Sequence, residues 1–220
     1  MLSDCNIFSR SKRMSFLFRC GSKRKRGYMK FDKIIHKTLV EESVDYGFVF
    51  GNNKIVFIKA GAGGGIYGYQ DKYLKMAHRV HERLGATVIC SSNYEKCLRM
   101  DKKAIEWCEK YLKPTNAELY FVGVSDGADQ CITLAGNVSA KKLLCINPSF
   151  VPEHDPSDRL IICSKTEKIF VYGTKDEEGC ELAPELLERK IPNFEIKWAE
   201  GADHEFHGMI DEFISLIDLI

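Results

Sequence analysis

From residue 31 onward, apolar positions along this chain follow two rhythms that take turns. Short apolar runs at 46–50, 54–60, 86–90, 119–124, 142–147 and 168–172 predict buried strands. Between them the spacing becomes helical. Tyr73, Ala77, Val80 and Leu84 share one face, and Gly85 closes that helix. Leu98, Ile105, Cys108 and Leu112 mark a second helix, ended by Pro114. A third is expected from about Asp126 to Ala135, and a fourth is marked by Leu182, Leu186 and Leu187. Phe194, Ile196 and Trp198 alternate with Glu195, Lys197 and Ala199, the period-2 pattern of a half-exposed edge strand. Phe206, Met209, Ile210, Phe213, Ile217 and Ile220 form the apolar face expected of a last helix. Gly51-Asn52-Asn53, between the runs at 46–50 and 54–60, reads as a hairpin turn.

Strands alternating with helices at this spacing predict an α/β fold, a mostly parallel twisted sheet with helices on both faces. In such sheets ligands bind beyond the carboxyl ends of the strands. The loops after residues 60, 124, 172 and 200 are therefore where chemistry is expected.

Charge separates the chain into two parts. Residues 1–30 carry nine Lys/Arg against the single acid Asp4, a net charge of +8, which leaves −7 for residues 31–220. This basic arm could touch nucleic acid or anionic lipid through counterion release. Its Arg- and Ser-rich composition also suits a transit peptide, whereas its apolar cluster Phe16-Leu17-Phe18 is too short for a secretory signal. The simplest expectation is a solvated extension, with 31–220 as one domain and nucleic acid not its partner. No run of 18 apolar residues occurs, so no membrane-spanning helix is expected. The nine cysteines show no CxxC pair and no zinc spacing, which predicts reduced, buried thiols in a cytoplasmic protein.

Four loops carry candidate chemistry. Gly123-Val124-Ser125-Asp126-Gly127 matches G-x-S-x-G after a strand and before a helix, a turn that exposes a nucleophilic Ser125. Ala60-Gly61-Ala62-Gly63-Gly64-Gly65 lets backbone approach a substrate carbonyl. Ala62, or next Gly63, would give one oxyanion N–H, and Asp126, which follows the nucleophile, the other. Gly173-Thr174-Lys175-Asp176 presents a carboxylate that could orient a histidine, with Glu177 and Glu178 as neighbours able to substitute. Gly201-Ala202-Asp203-His204 presents a general base, with His207 as a lesser candidate; a metal shared by the two histidines lacks a third ligand. The glycines at 63, 65 and 68 also spell G-x-G-x-x-G, a dinucleotide fingerprint. The acid such a site needs at the end of the next strand is missing, since that segment reads Cys90-Ser91-Ser92-Asn93.

Over residues 45–220, the glycine loop 61–65, GVSDG at 123–127, YGTKD at 172–176 and GADH at 201–204 resemble the α/β-hydrolase superfamily. The order serine, acid, histidine is that of this fold. The resemblance implies Ser125 as nucleophile, His204 as base and Asp176 as acid. It also implies a covalent acyl-enzyme formed from a small-molecule acyl substrate, an ester or thioester, with no cofactor. An acyl acceptor other than water stays open, as does a non-catalytic binding module on the same fold. Three departures stand out: Ala60-Gly61 where many members have His-Gly, a carboxylate at Asp126, and only 20 residues (148–167) where many members insert a cap domain. The site is therefore expected to be open and lidless.

Overall fold

The computed structural model describes residues 29–39, 42–94, 98–112, 117–149 and 157–220. Residues 1–28 of the basic arm, Pro114, Pro152, Asp155 and Pro156 lie outside the described residues. In chain order the elements are β1 (Lys33–Leu39), β2 (Glu42–Val49), β3 (Asn52–Lys59), α1 (Lys72–Leu84), β4 (Ala86–Ser91), α2 (Leu98–Leu112) and β5 (Glu118–Val124). There follow α3 (Asp126–Gly136), β6 (Ala140–Ile146), α4 (Ser157–Ile162), β7 (Glu167–Gly173), α5 (Glu177–Glu188), β8 (Phe194–Ala199) and α6 (Ile210–Ser215).

The strands form one sheet in the order β1-β2-β4-β3-β5-β6-β7-β8. β1 pairs antiparallel with β2 and β2 with β4, and every other pairing is parallel. The central strands are buried on both faces, which is why they read as continuous apolar runs. Their side chains alternate between two cores. Ile55, Phe57, Leu119, Phe121, Leu143, Cys145, Phe170 and Tyr172 pack with buried residues of α2, α3, α4 and α5. Val56, Ile58, Val122, Val124, Leu144, Ile146, Ile169 and Val171 pack with those of α1 and α6 on the other side. A fully buried phenylalanine such as Phe57, whose ring centre lies 6.0 Å from that of Phe121, contributes about 1.5–3 kcal/mol.

From β3 the chain crosses by α1 to β4 on one side, then returns past β3 to β5 and continues outward to β8. The winding therefore reverses between neighbouring strands β3 and β5, and a crevice opens at their carboxyl ends. The loops starting at Ala60 and Ser125 leave from that point.

Two expectations need correction, and one hairpin was not expected. The segments at 46–50 and 54–60 do not pair as a hairpin, because β4 lies between β2 and β3. The Gly51 turn packs on the α1–β4 junction instead: Gly51 N–H donates to Thr87 Oγ1 at 2.9 Å, and Asn52 N–H to Gly85 O at 2.7 Å. A Cβ on Gly51 would sit 2.1 Å from the Gly85 carbonyl oxygen, so only glycine allows this approach. The real hairpin joins β1 to β2, and β1 carried no apolar rhythm to announce it. Finally, the last α-helix starts at Ile210, so Phe206 and His207 precede it, and Phe206 turns the chain at φ +56° with its ring buried.

Candidate active site

β5 ends at Val124, and Ser125 makes the turn into α3 at φ +51°, ψ −127°, a strained conformation for a side-chain-bearing residue. The flanking glycines make it possible. A Cβ on Gly123 would lie 2.4 Å from the Ala128 Cα, and one on Gly127 would lie 2.3 Å from the Ala60 carbonyl oxygen. Strand, turn and helix are thus pressed together at contacts no larger residue permits. The turn is pinned by Ser125 N–H donating to Ile146 O at 2.9 Å and by Ser125 O accepting from Ala128 N–H at 2.9 Å.

The loops after β7 and β8 meet beside it. A Cβ on Gly173 would be 2.2 Å from the Ala202 carbonyl oxygen. Lys175 N–H donates to Ala202 O at 2.9 Å, and Gly201 N–H to Thr174 Oγ1 at 2.8 Å. Asp176, 4% exposed, immediately precedes α5. Its Oδ2 lies 3.1 Å from His204 Nδ1, and His204 Nε2 lies 2.9 Å from Ser125 Oγ. With Nδ1–H directed at the carboxylate, Nε2 is left as the acceptor for the serine hydroxyl. His207 is elsewhere: its Nδ1 sits 2.9 Å from Asp203 Oδ2, and its side chain is largely exposed. Glu178 does not reach His204; its Oε2 accepts from Ser149 Oγ at 3.2 Å, and that hydroxyl lies 3.5 Å from Ser125 Oγ.

Two residues that no sequence motif singled out hold this arrangement. Asn147, directly after β6, is fully buried at φ +42°, a region asparagine tolerates better than most residues. Its Oδ1 accepts from Gly173 N–H at 2.8 Å, while its Nδ2 donates to His204 O at 2.8 Å and Asp203 O at 3.1 Å. One amide therefore fastens the acid loop to the histidine loop. The only signal for it was the Asn-Pro dipeptide at a strand end, which reads simply as a turn. The second is Asn93 after β4. Its backbone exchanges hydrogen bonds with the glycine loop, Gly63 N–H to Asn93 O and Asn93 N–H to Gly64 O, both 2.8 Å.

Those bonds bear on the expected oxyanion donors. Gly63 N–H is spent on Asn93, and Gly61 N–H points to Tyr73 Oη at 3.4 Å. Ala62, exposed at the tip, and Gly65 have backbone N–H groups with no hydrogen bond among the described residues. Gly61 brings the loop against Ser125, since a Cβ there would lie 3.3 Å from Ser125 Cβ. The Asp126 carboxylate is held from the side by Asn93 Nδ2 at 3.0 Å and Gln130 Nε2 at 3.5 Å. Ser91 and Ser92, where a dinucleotide site needs an acid, are tied into the protein by Lys59, Asp101 and Asp45. Among the described residues no cluster of three His, Cys, Asp or Glu could hold a metal. Burial pushes the thiols of Cys90, Cys131 and Cys145 well up and that of Cys108 up to about 12, as expected of packing residues.

No family model matches the sequence, and no curated protein matches it. Solved structures do match the whole fold. An α/β serine hydrolase homologue from Coxiella burnetii superposes at TM-score 0.67 with 16% identity, over 87% of this chain and 98% of that one. XC6422 from Xanthomonas campestris, described as an α/β serine hydrolase without a lid, gives 0.61 and 17%, over 88% and 95%. The chain has the α/β-hydrolase fold. Est1E from Butyrivibrio proteoclasticus is similar at 0.64 and 13%, over 84% and 96%. In this α/β-hydrolase fold the link from β6 to β7 is too short for a cap domain, and α4 is the one helix described in it. No described helix is long and apolar enough to cross a membrane.

Proposed function

We propose that this chain, with 31–220 as its single domain, is a serine hydrolase that cleaves an ester or thioester of a small molecule through an acyl-enzyme on Ser125. The observation that carries the reading is the continuous chain Ser125 Oγ, His204, Asp176, at 2.9 and 3.1 Å. Ser125 Oγ bonds to the substrate carbonyl carbon as His204 Nε2 takes its proton, and Asp176 stabilises the imidazolium. The carbonyl oxygen becomes an oxyanion facing the Ala62 and Asp126 amides near the α3 N-terminus. As the carbonyl re-forms, the alcohol or thiol leaves with the proton from His204. Water, or another acceptor, then reverses the sequence on the acyl-enzyme. The open crevice and the lack of a cap favour activated acyl groups over amides.

Stoichiometric labelling of Ser125 by a fluorophosphonate tests this without knowledge of the substrate. A folded protein that does not label is a non-catalytic member of the fold, and the enzyme reading then fails.

A further inference from the structure

An open cleft of about 560 Å³ lies at the far end of the glycine loop, between residues 64–69, the edge strand β1 and its neighbour β2. Among the described residues eight large apolar or aromatic side chains stand exposed, and four of them, Ile34, Tyr67, Tyr69 and Tyr94, line this one cleft. Such a concentration marks a surface kept open for a ligand. Its polar end is equally particular. Asp45 Oδ1 lies 2.7 Å from His36 Nδ1, and Asp45 Oδ2 accepts from Tyr94 O–H at 3.4 Å. Both groups are thus directed at the carboxylate. What remains unspent is acceptor capacity on the tyrosine oxygen and the carboxylate lone pairs.

Charge follows the same pattern. Strand alternation puts Ile34 and His36 on the cleft side of β1. Lys33 goes to the other side, its Nζ 4.7 Å from the Trp107 ring centre, and Ile35 packs there against the core. Among the described residues no lysine or arginine lines the cleft. Tyrosine faces carry negative quadrupole charge, and rings grouped beside a carboxylate are the chemistry that holds substituted ammonium ions.

We propose that this cleft binds a substituted ammonium group. Resting on the reading of Ser125 as nucleophile, that group is the far arm of the ester substrate. The cleft is within reach, because Gly61 touches Ser125 while Gly64 and Gly65 form the cleft wall. Residues 61 and 65 can be no more than about 14 Å apart along an extended chain.

The test separates binding from turnover. Choline and 3,3-dimethylbutan-1-ol have the same shape and differ in charge. Ligand-observed NMR titration of the full chain should give choline at least about tenfold tighter affinity. Asp45→Asn and Tyr67→Leu should each abolish the difference, with thermal melts confirming that both variants fold. Equal affinity for the two alcohols, or a difference that survives both variants, overturns the proposal. Acyl esters of trimethylammonio alcohols with two- to eight-carbon linkers, set against their tert-butyl isosteres, then test the substrate arm. A preference for the cation at one linker length supports it. Choline binding without any such preference overturns the substrate assignment. Failure of fluorophosphonate labelling would instead remove the hydrolase reading, while the choline titration would still decide the cleft.

Discussion

Asn147→Ala should damage both stability and the reactivity of Ser125. The side chain is fully buried and makes three hydrogen bonds of 2.8 to 3.1 Å. Removing it leaves the buried Gly173 N–H unpaired, which costs about 1–3 kcal/mol. The His204 and Asp203 carbonyls are only partly buried and regain water, so they add less. Alanine at φ +42° adds about 1 kcal/mol of backbone strain. The total, about 2–4 kcal/mol, corresponds to a fall of roughly 5–15 °C in thermal midpoint for a domain of this size. Releasing the carbonyl of His204 also loosens its imidazole, and a displacement near 1 Å costs on the order of 100-fold in rate. Asn147→Asp is the sharper control, because it keeps the acceptor for Gly173 but sets an oxygen against two carbonyls. It should be at least as damaging as alanine, whereas Asn147→Gly should relieve only the strain. The assay is the second-order rate of fluorophosphonate labelling as a function of pH, read beside the melt. A purely structural role would lower the midpoint and leave the pH profile of the surviving folded protein unchanged. Wild-type labelling rate and profile in Asn147→Ala would refute the positioning argument.

Other expectations follow from the same geometry. Ser125→Ala should abolish labelling, and His204→Ala should cost about as much in ester kcat/KM, because such groups act as a unit. Asp176→Asn should cost less, on the order of 10⁴-fold, by favouring the wrong tautomer, while His207→Ala should leave turnover near wild type. Arg79 holds the Asp218 carboxyl below its ordinary value through a side-chain hydrogen bond, with Nε at 2.9 Å from Oδ1. The folded pKa is depressed, so the pair's stabilisation is present above the unfolded carboxylate value and lost as pH falls through the folded one. Urea midpoints of Arg79→Ala and wild type should therefore differ slightly at pH 7 and converge in acid; a gap that widens in acid contradicts the pairing. Removing residues 1–28 should leave melting temperature and turnover intact, and a large drop in the melt would mean that the arm packs on the domain.

The parts of the fold visible in the sequence are those where burial is two-sided. β3 to β7 carry apolar side chains toward both cores, so composition alone marked them. β1 escaped notice for the opposite reason. It is an edge strand in which, among the described side chains, only Ile35 packs against the core, and the others are mostly exposed and polar. The misplaced hairpin has a different cause. Turn chemistry at Gly51 is local, but pairing is decided by whichever strand fills the space, and β4 arrives from further along the chain, pairing Ala86 with Asn52. That Ser125, Asp176 and His204 come together was legible because each follows a strand end in a fixed order, and strand ends could be located.

What supports those three residues was not legible, because it is made of pairings between distant segments. Lys59 appeared only as a polar residue in an apolar run. In the fold it is fully buried, its Nζ 2.9 Å from Asp101 Oδ2, 3.1 Å from Ser91 Oγ and 2.7 Å from Ser92 O. Asp101 in turn accepts from Tyr46 O–H and Ser91 O–H. Such a pair adds little net stability over apolar residues of the same size, but losing one partner costs about 3–5 kcal/mol. Its value lies in fixing a geometry, because charges in a dry interior accept few arrangements. The pair ties α2 to the carboxyl ends of β3 and β4, one residue before Ala60 opens the glycine loop and two before Asn93 bonds to it. The same logic governs Asn147 on the histidine side. Both halves of the crevice are thus held by buried polar contacts in addition to apolar packing, which tolerates small shifts. If Ser125 and His204 react as proposed, their hydroxyl and imidazole, 2.9 Å apart, gain from that kind of support.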